Sequence, residues 1–486
     1  MVRSRSGAHL RRWLMRHILL MMSAMIASAA WTQGPASAED LGDILLRKGV
    51  ITKDELRQAR EEEKQKSAAD ESRRDALVAK LPRWLDAISP FGDVRFRHEG
   101  FYQEDLHARN RFRLRARIGL TANVSDEISA TVRLATGNAN DPISTNQTLD
   151  STFSRKSINL DWAYLMLKPG KSFSIEPGWL TVTAGKFGVN TYRVSELVWD
   201  DDVAPEGATE TLNLVERREG FLRGLRVNAF EWIVDEVSDG ADPWIPGGQV
   251  VGETALNGTA TWSLGLADYY FDHVNLVARK FLNQFTDPPA NTKPNSSFNN
   301  QLANTNSVVK DKNGKIVGYK SGFNVLNATT ALDTPDPTGL GIPAGLFGDL
   351  AYNTEADGHN VGFYVGAGIG KAGRDWYHDA LKNQGDWGMS YTYAWIEKDA
   401  VLSIFTYSDI NEFSTPAATA GSARPTQKGG TNLSAHILRF DYALLPNLQL
   451  TAKAHFINAL DRKISNAALT ENPTLVRTQL DAILKF

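Results

Sequence analysis

The sequence predicts an all-β transmembrane barrel, antiparallel, of roughly sixteen strands with eighteen as the alternative, preceded by a short α-helical segment. Three observations predict it. The chain ends on an alternating strand: Thr478, Leu480, Ala482, Leu484 and Phe486 share one side, and Arg477, Gln479, Asp481 and Lys485 the other, with Ile483 the apolar exception. Side chains alternate across a strand, so one face suits hydrocarbon and the other water. The chain opens on an export signal. Between the two ends, alternating runs are joined by short turns and long polar loops in turn, the pattern of a barrel whose turns lie on one side of a membrane and whose loops lie on the other.

Residues 1–38 read as a signal peptide. Arg3, Arg5, Arg11, Arg12 and Arg16 precede an apolar run from Ile18 to Ala30, and Ala36-Ser37-Ala38 offers a small-residue cleavage site. Beyond it no stretch approaches the ~18 apolar residues of a spanning helix. A mature chain that crosses a membrane must then close into a barrel, which pairs every backbone group. Removing residues 1–38 takes away five Arg and no acid, moving the net charge from −3 to about −8. That mild acidity over a long chain argues against a nucleic-acid partner. With no cysteine, disulfides and Cys-ligated zinc are excluded.

Residues 39–88 read as a helical arm in the periplasm. Leu41, Ile44, Leu45, Val50 and Ile51 are its apolar positions, and Gly49 suits a helix stop. Thr52 with Glu55 forms a capping-box pattern for a second helix, crowded with mixed charge and sparse in apolar residues for a heptad seam, which reads as a solvated arm with a trimeric coiled coil as the alternative.

From residue 89 the period changes to two. Phe112, Leu114, Ala116, Ile118 and Leu120 alternate with Arg111, Arg113, Arg115, Arg117 and Gly119. Ile128, Ala130, Val132 and Leu134 follow a tight turn, and a long polar loop runs from Gly137 to about Ser157. Ile158, Leu160, Trp162, Tyr164 and Met166 are read as one apolar face, then Leu180, Val182 and Ala184. Later, Val361, Phe363, Val365, Ala367 and Ile369 alternate with Gly362, Tyr364, Gly366, Gly368 and Gly370, small inner residues expected to leave open lumen. Trp387, Met389, Tyr391, Tyr393 and Trp395 supply an aromatic face of the kind found at membrane interfaces. Leu445-Pro446-Asn447 is a tight turn, and Asn313-Gly314 predicts a type I′ hairpin inside a long loop. Strand counting fails between 235 and 360. At about 25 residues per strand with its connections, residues 89–486 yield roughly sixteen strands, enough for a water-filled interior that passes small hydrophilic solutes and ions.

Thr121–Gly137, Thr183-Ala-Gly-Lys-Phe187, Trp199–Gly207 and the terminal Phe486 resemble the "putative porin" family of Gram-negative outer membranes, a relative of the general and phosphate-selective porins. The resemblance covers roughly residues 85–486. It implies a homotrimeric diffusion channel in outer-membrane lipid. The terminal strand likewise resembles those whose closing aromatic is read by the barrel assembly machinery, which assigns Phe486 as a membrane-assembly signal.

Arg111, Arg113, Arg115 and Arg117 project from one strand, and a charge at mid-bilayer on the lipid face costs ~2–4 kcal/mol. They are therefore expected to line the lumen, with Arg95, Arg97 and Arg133 extending the basic wall. Asp200, Asp201, Asp202 and Glu206 lie in the loop after residue 187, a loop that in porins commonly folds inward. They are the candidates for the opposing half of a constriction. Three consecutive Asp lack the alternate spacing of a calcium loop. No H-E-x-x-H, G-x-S-x-G or phosphate-cradling loop is present, so no enzyme, metal or cofactor is expected. His436 and His455, on adjacent strands, are the positions a lipid-facing hydrolase would use. An adhesion or wall-tethering barrel without conductance is the alternative function.

Overall fold

The computed structural model describes residues 52–55, 57–58, 61 and 87–486, apart from 104–106, 218, 239, 257–258, 283–303, 371–380, 382, 411, 415–425, 462, 465–466 and 469–473. The signal peptide and most of the arm lie outside the described residues. Within the arm, Thr52 Oγ1 accepts from the Glu55 amide at 3.2 Å while the Glu55 carboxylate accepts from the Thr52 amide at 2.7 Å, a reciprocal capping box.

The alternation from residue 88 onward produces sixteen long strands among the described residues. They are β1 (Ile88–Tyr102), β2 (Arg109–Asn123), β3 (Ile128–Thr136), β4 (Ile158–Leu167), β5 (Leu180–Lys186), β6 (Glu206–Glu216), β7 (Leu222–Ile233) and β8 (Trp244–Leu256). Then come β9 (Ala260–Phe271), β10 (Phe323–Thr334), β11 (Ala344–Asn353), β12 (Val361–Gly370), β13 (Trp387–Ile396), β14 (Leu433–Leu445), β15 (Leu448–Ala459) and β16 (Leu475–Lys485). Each pairs with its neighbours in sequence, and β16 returns antiparallel to β1, from Asp93↔Lys485 to Tyr102↔Val476. That last ladder closes the barrel and leaves no edge, the condition for a sheet in hydrocarbon. The short strand Gln147–Thr148 adds a pairing to β2.

One end carries the short connections, such as 124–127, 217–221, 257–259 and 446–447. The other carries the long ones, 137–157, 187–205, 272–322 and 397–432. Both barrel termini lie at the short end, where Phe486 exchanges two backbone hydrogen bonds with Gly92, at 2.9 and 3.1 Å. Pro446 followed by Asn447 at φ 67° makes the β14–β15 connection a type II turn. Val94, Phe96, Phe112, Ile118, Leu120, Leu480 and Leu484 are exposed on the outer wall, where lipid would cover them. Exposed Trp179 and Trp262 lie near its short-turn end, and Tyr270 and Tyr352 near its long-loop end, as aromatic girdles do.

Three local expectations are corrected. Arg133 pairs with Trp162 but Leu134 with Leu160, so Asp161 is a bulge residue in β4. The extra residue reverses the alternation: Ile158 and Leu160 face out, whereas Trp162 and Tyr164 turn inward, Tyr164 meeting Phe187 edge-on. The hairpin Val308–Lys310/Ile316–Tyr319 forms, but not through a type I′ turn. Gly314 alone has positive φ (82°), and the Asp311 carboxylate accepts from the Asn313 and Lys315 amides. Finally, the small residues of β12 do not leave space. A Cβ on Gly362 would lie 3.2 Å from Leu197 and 3.3 Å from Ala400, and one on Gly366 would lie 2.3 Å from the Phe347 ring.

Those neighbours reveal where the core sits. Leu197, Trp199, Ala400, Leu402, Ile404 and Ile410, all from loops 187–205 and 397–432, are buried against Trp232, Tyr269, Phe323, Ile396, Leu433 and Ile457 on the long-loop ends of the strands. Two loops thus fold into the barrel and pack an apolar layer across its outer half. They are tied to each other: the Asp200 amide donates to Phe405 O at 2.7 Å, and Thr406 Oγ1 donates to Leu197 O at 2.7 Å.

Candidate functional site: a charged chamber beneath the inward loops

The period-two alternation of β1, β2 and β3 turns Arg95, Arg97, Arg111, Arg113, Arg115, Arg117 and Arg133 to the inside. Their acidic partners come mostly from the same wall. Asp93 sits 2.8 Å from Arg115 and 2.6 Å from Arg117. Glu99 accepts from Arg111 and, at 2.9 Å, from Arg477, with Arg113 3.7 Å away. Asp481, across the closing ladder from Arg97, receives two hydrogen bonds from it at 2.7 Å. Arg133 pairs with Asp161 at 2.5 Å and sits over the Trp162 ring, its Cζ 3.1 Å from the centroid.

The acidic loop disperses rather than acting as a block. Asp202 faces the wall, 3.6 Å from Arg117, and is held there by the Thr145 amide and hydroxyl, both at 3.0 Å. Asp201 pairs within its own loop with Arg193 at 2.7 Å. Asp200 turns the other way and accepts from the Ser408 amide at 2.8 Å, joining the two inward loops. Glu206 stands apart from the basic wall, on the lining of the long-loop-end cavity that Asp202 also borders. It opens β6, is mostly exposed, and pairs with Lys186 at 2.8 Å. In its place stands Asp409, from the second inward loop, which accepts from Arg477 at 2.8 Å and Arg97 at 3.2 Å.

Burial would raise the Asp409 carboxyl, but Arg97 and Arg477 overcome it and hold it well below the usual carboxylate range. The reverse holds deeper in loop 187–205. Burial, then repulsion from Asp201 and Asp200, lifts Glu196 well above that range, and burial with repulsion from Asp202 does the same to Asp200. For Asp202, burial opposes Arg115, Arg117 and Arg95, which prevail and lower it.

These groups enclose a chamber of about 340 Å³ on the inner side of the loops, lined among others by Arg95, Arg117, Trp162, Lys453 and Asp481. A second cavity of about 320 Å³ lies towards the long-loop end, between Gly137, Trp199, Val203, Ile245 and Phe405. Asp202 lines both. A third space of about 1100 Å³, with Tyr192, Arg226 and Glu253 on its walls, occupies the β5–β9 side.

The family model described as "Putative porin" matches residues 101–468. The chain belongs to that family. Among solved structures, the fold of this porin-family barrel is similar to OprB of Pseudomonas putida, at 13% identity and a TM-score of 0.47, covering 83% of this chain and 95% of that one. It is also similar to OmpF of Salmonella typhi, at 8% identity and 0.43, covering 84% and 100%. An anion-selective porin from Comamonas acidovorans is similar at 10% identity and 0.41, covering 82% and 99%. No curated protein matches the chain.

In this porin-family barrel, sequence reasoning missed Asp93, Glu99, Asp409 and Asp481. The first two were within reach, because they share the inward parity of Arg95 and Arg97 on β1. Asp481 was read as water-facing without a partner, and pairing register alone brings it to Arg97. Asp409 had no local signal. The two histidines part company: His436 stacks outward by Tyr391, whose hydroxyl is 2.7 Å from Nδ1, while His455 is fully buried inside, 3.2 Å from the Tyr407 hydroxyl. The expectation that both could serve a lipid-facing site is corrected by that opposition.

Proposed function

We propose that the barrel is a passive, non-enzymatic outer-membrane channel for small hydrophilic solutes and ions, whose constriction is the gap between Asp202 and the basic wall. One observation carries the reading: Asp202 borders both the outer cavity and the inner chamber, so it stands on the route that joins those two spaces across the loop layer. Acid on one side and Arg95, Arg115 and Arg117 on the other would set a transverse field, orienting dipolar solutes and sorting ions. The barrel would stand with its short turns and helical arm in the periplasm, inserted by assembly machinery that reads the exposed ring of Phe486. We read the working unit as a homotrimer. His98 lies on the outward face beside Phe112, its ring 5.0 Å from that of Phe112, and a neighbouring subunit would cover this polar group better than lipid.

The second reading, a membrane-anchored adhesion barrel without conductance, is favoured by the apolar layer that fills the outer half of the lumen. Planar-bilayer recording separates the two. Discrete conductance steps are expected, with a reversal potential that moves towards cations when Arg113 and Arg115 are both replaced by Glu. A silent bilayer would favour the anchor, and an unmoved potential would remove those arginines from the ion path.

A further inference from the structure

Most cations of the chamber lie within ion-pair distance of a carboxylate; among the described residues, Arg95 and Lys453 do not. Arg95 is 8% exposed, its Nη2 donates to Asn146 at 2.6 Å, and its Nε meets no acceptor. Lys453 projects from β15 into the same space, its ammonium 5.8 Å from the Tyr407 ring. Among the described residues neither has a carboxylate within the 4.0 Å of an ion pair. The indole Nε1 of Trp162, on the same lining, is also buried without an acceptor. Buried donors without partners are costly, and a group that persists in this state marks a place where something else supplies the acceptor.

The surrounding charge names the acceptor's sign. Nine basic and six acidic side chains line the chamber. Two of the acids, Glu196 and Asp200, are the ones burial and mutual repulsion keep towards their neutral forms, so the surplus is wider than the count. We infer that the chamber is a saturable binding site for a small oxyanion with several acceptor oxygens, a di- or tricarboxylate or a phosphate, held by Arg95, Lys453 and the Trp162 N–H. Arg95 and Lys453 line one space, and an anion with several acceptor oxygens can accept from more than one such donor, where chloride offers a single centre. The volume, about 340 Å³, admits a small metabolite and excludes polymers. The inference deepens the proposed channel, since it rests on the lumen being open to water, and it names what the channel would retain on the way through.

Calorimetric titration of the detergent-solubilised full chain with citrate, and separately with inorganic phosphate, tests it without requiring conduction. A saturable heat is expected with at least one probe, and the tighter of the two identifies the ligand as carboxylate or phosphate. Affinity should fall at least about ten-fold in Arg95→Gln and in Lys453→Gln, the order expected for losing one charged hydrogen bond. Lys156→Gln, at an outer loop, should leave it unchanged. Trp162→Phe retains the ring and removes only the donor, so a weakened affinity there does not depend on tolerance of a buried charge change. No saturable heat from either probe, or equal affinity in all variants, would overturn the site even if bilayers conduct. Binding without conductance would keep the site and remove the channel.

Discussion

Arg97 shows how one side chain can bind three parts of the barrel. It is 2% exposed and reaches Asp481 on the closing strand, Glu99 on its own strand and Asp409 on the second inward loop. Removing one partner of a buried ion cluster leaves the others uncompensated, at about 3–5 kcal/mol. Arg97→Met is therefore expected to lower barrel stability by about that amount, read as a shift in the denaturant midpoint in detergent. A change below about 1 kcal/mol would mean the carboxylates are already hydrated by an open lumen. At this scale the sequence was legible where parity alone decides, as for the arginines of β2. It was illegible at Trp162 and Tyr164, because the Asp161 bulge inverts the face and no residue in Asn159–Tyr164 announces a bulge. It was equally silent on Glu206, whose place at the start of β6 depends on where loop 187–205 ends.

Among the elements, loop 187–205 is the one whose placement depends on protonation. Glu196 and Asp200 have raised folded values, so their contribution to the inward position is full below the ordinary carboxylate range and is lost as pH rises through the raised values. Asp409 has the opposite sign. Its depressed folded value contributes above the ordinary carboxylate range and fades only as pH falls through that depressed value. Loop 397–432 should therefore hold its Arg97 and Arg477 contacts in mild acid, while loop 187–205 loosens in base. Amide exchange corrected for intrinsic rate should rise at residues 195–203, and at the Tyr407 and Ser408 amides bonded to them, between about pH 5 and about pH 9, and change less at Asp409 and Ile410. Equal behaviour of both segments would contradict the assignment. The inward loops also explain a misreading. The glycines of β12 leave no open lumen, because Leu197 and Ala400 from two distant loops fill the space at Gly362 and the Phe347 ring fills it at Gly366. Composition cannot foresee which loop fills which gap.

Taken whole, the molecule is a wide closed wall whose interior is divided by its own loops. Sixteen strands set a circumference that side chains cannot fill, and length with spacing were enough to reach that count from the sequence. What the sequence could not supply was the interior: an apolar layer in the outer half, a charged chamber beneath it, and Asp202 between them. The central claim is that traffic passes that carboxylate. Because the chain has no cysteine, Asp202→Cys would carry the sole thiol, and a bulky methanethiosulfonate reagent would report on this position alone. Recorded in planar bilayers, the labelled channel is predicted to lose more than about half its single-channel conductance, with the unsubstituted protein unaffected by the reagent. Complete labelling with an unchanged conductance would place the path elsewhere and contradict the account.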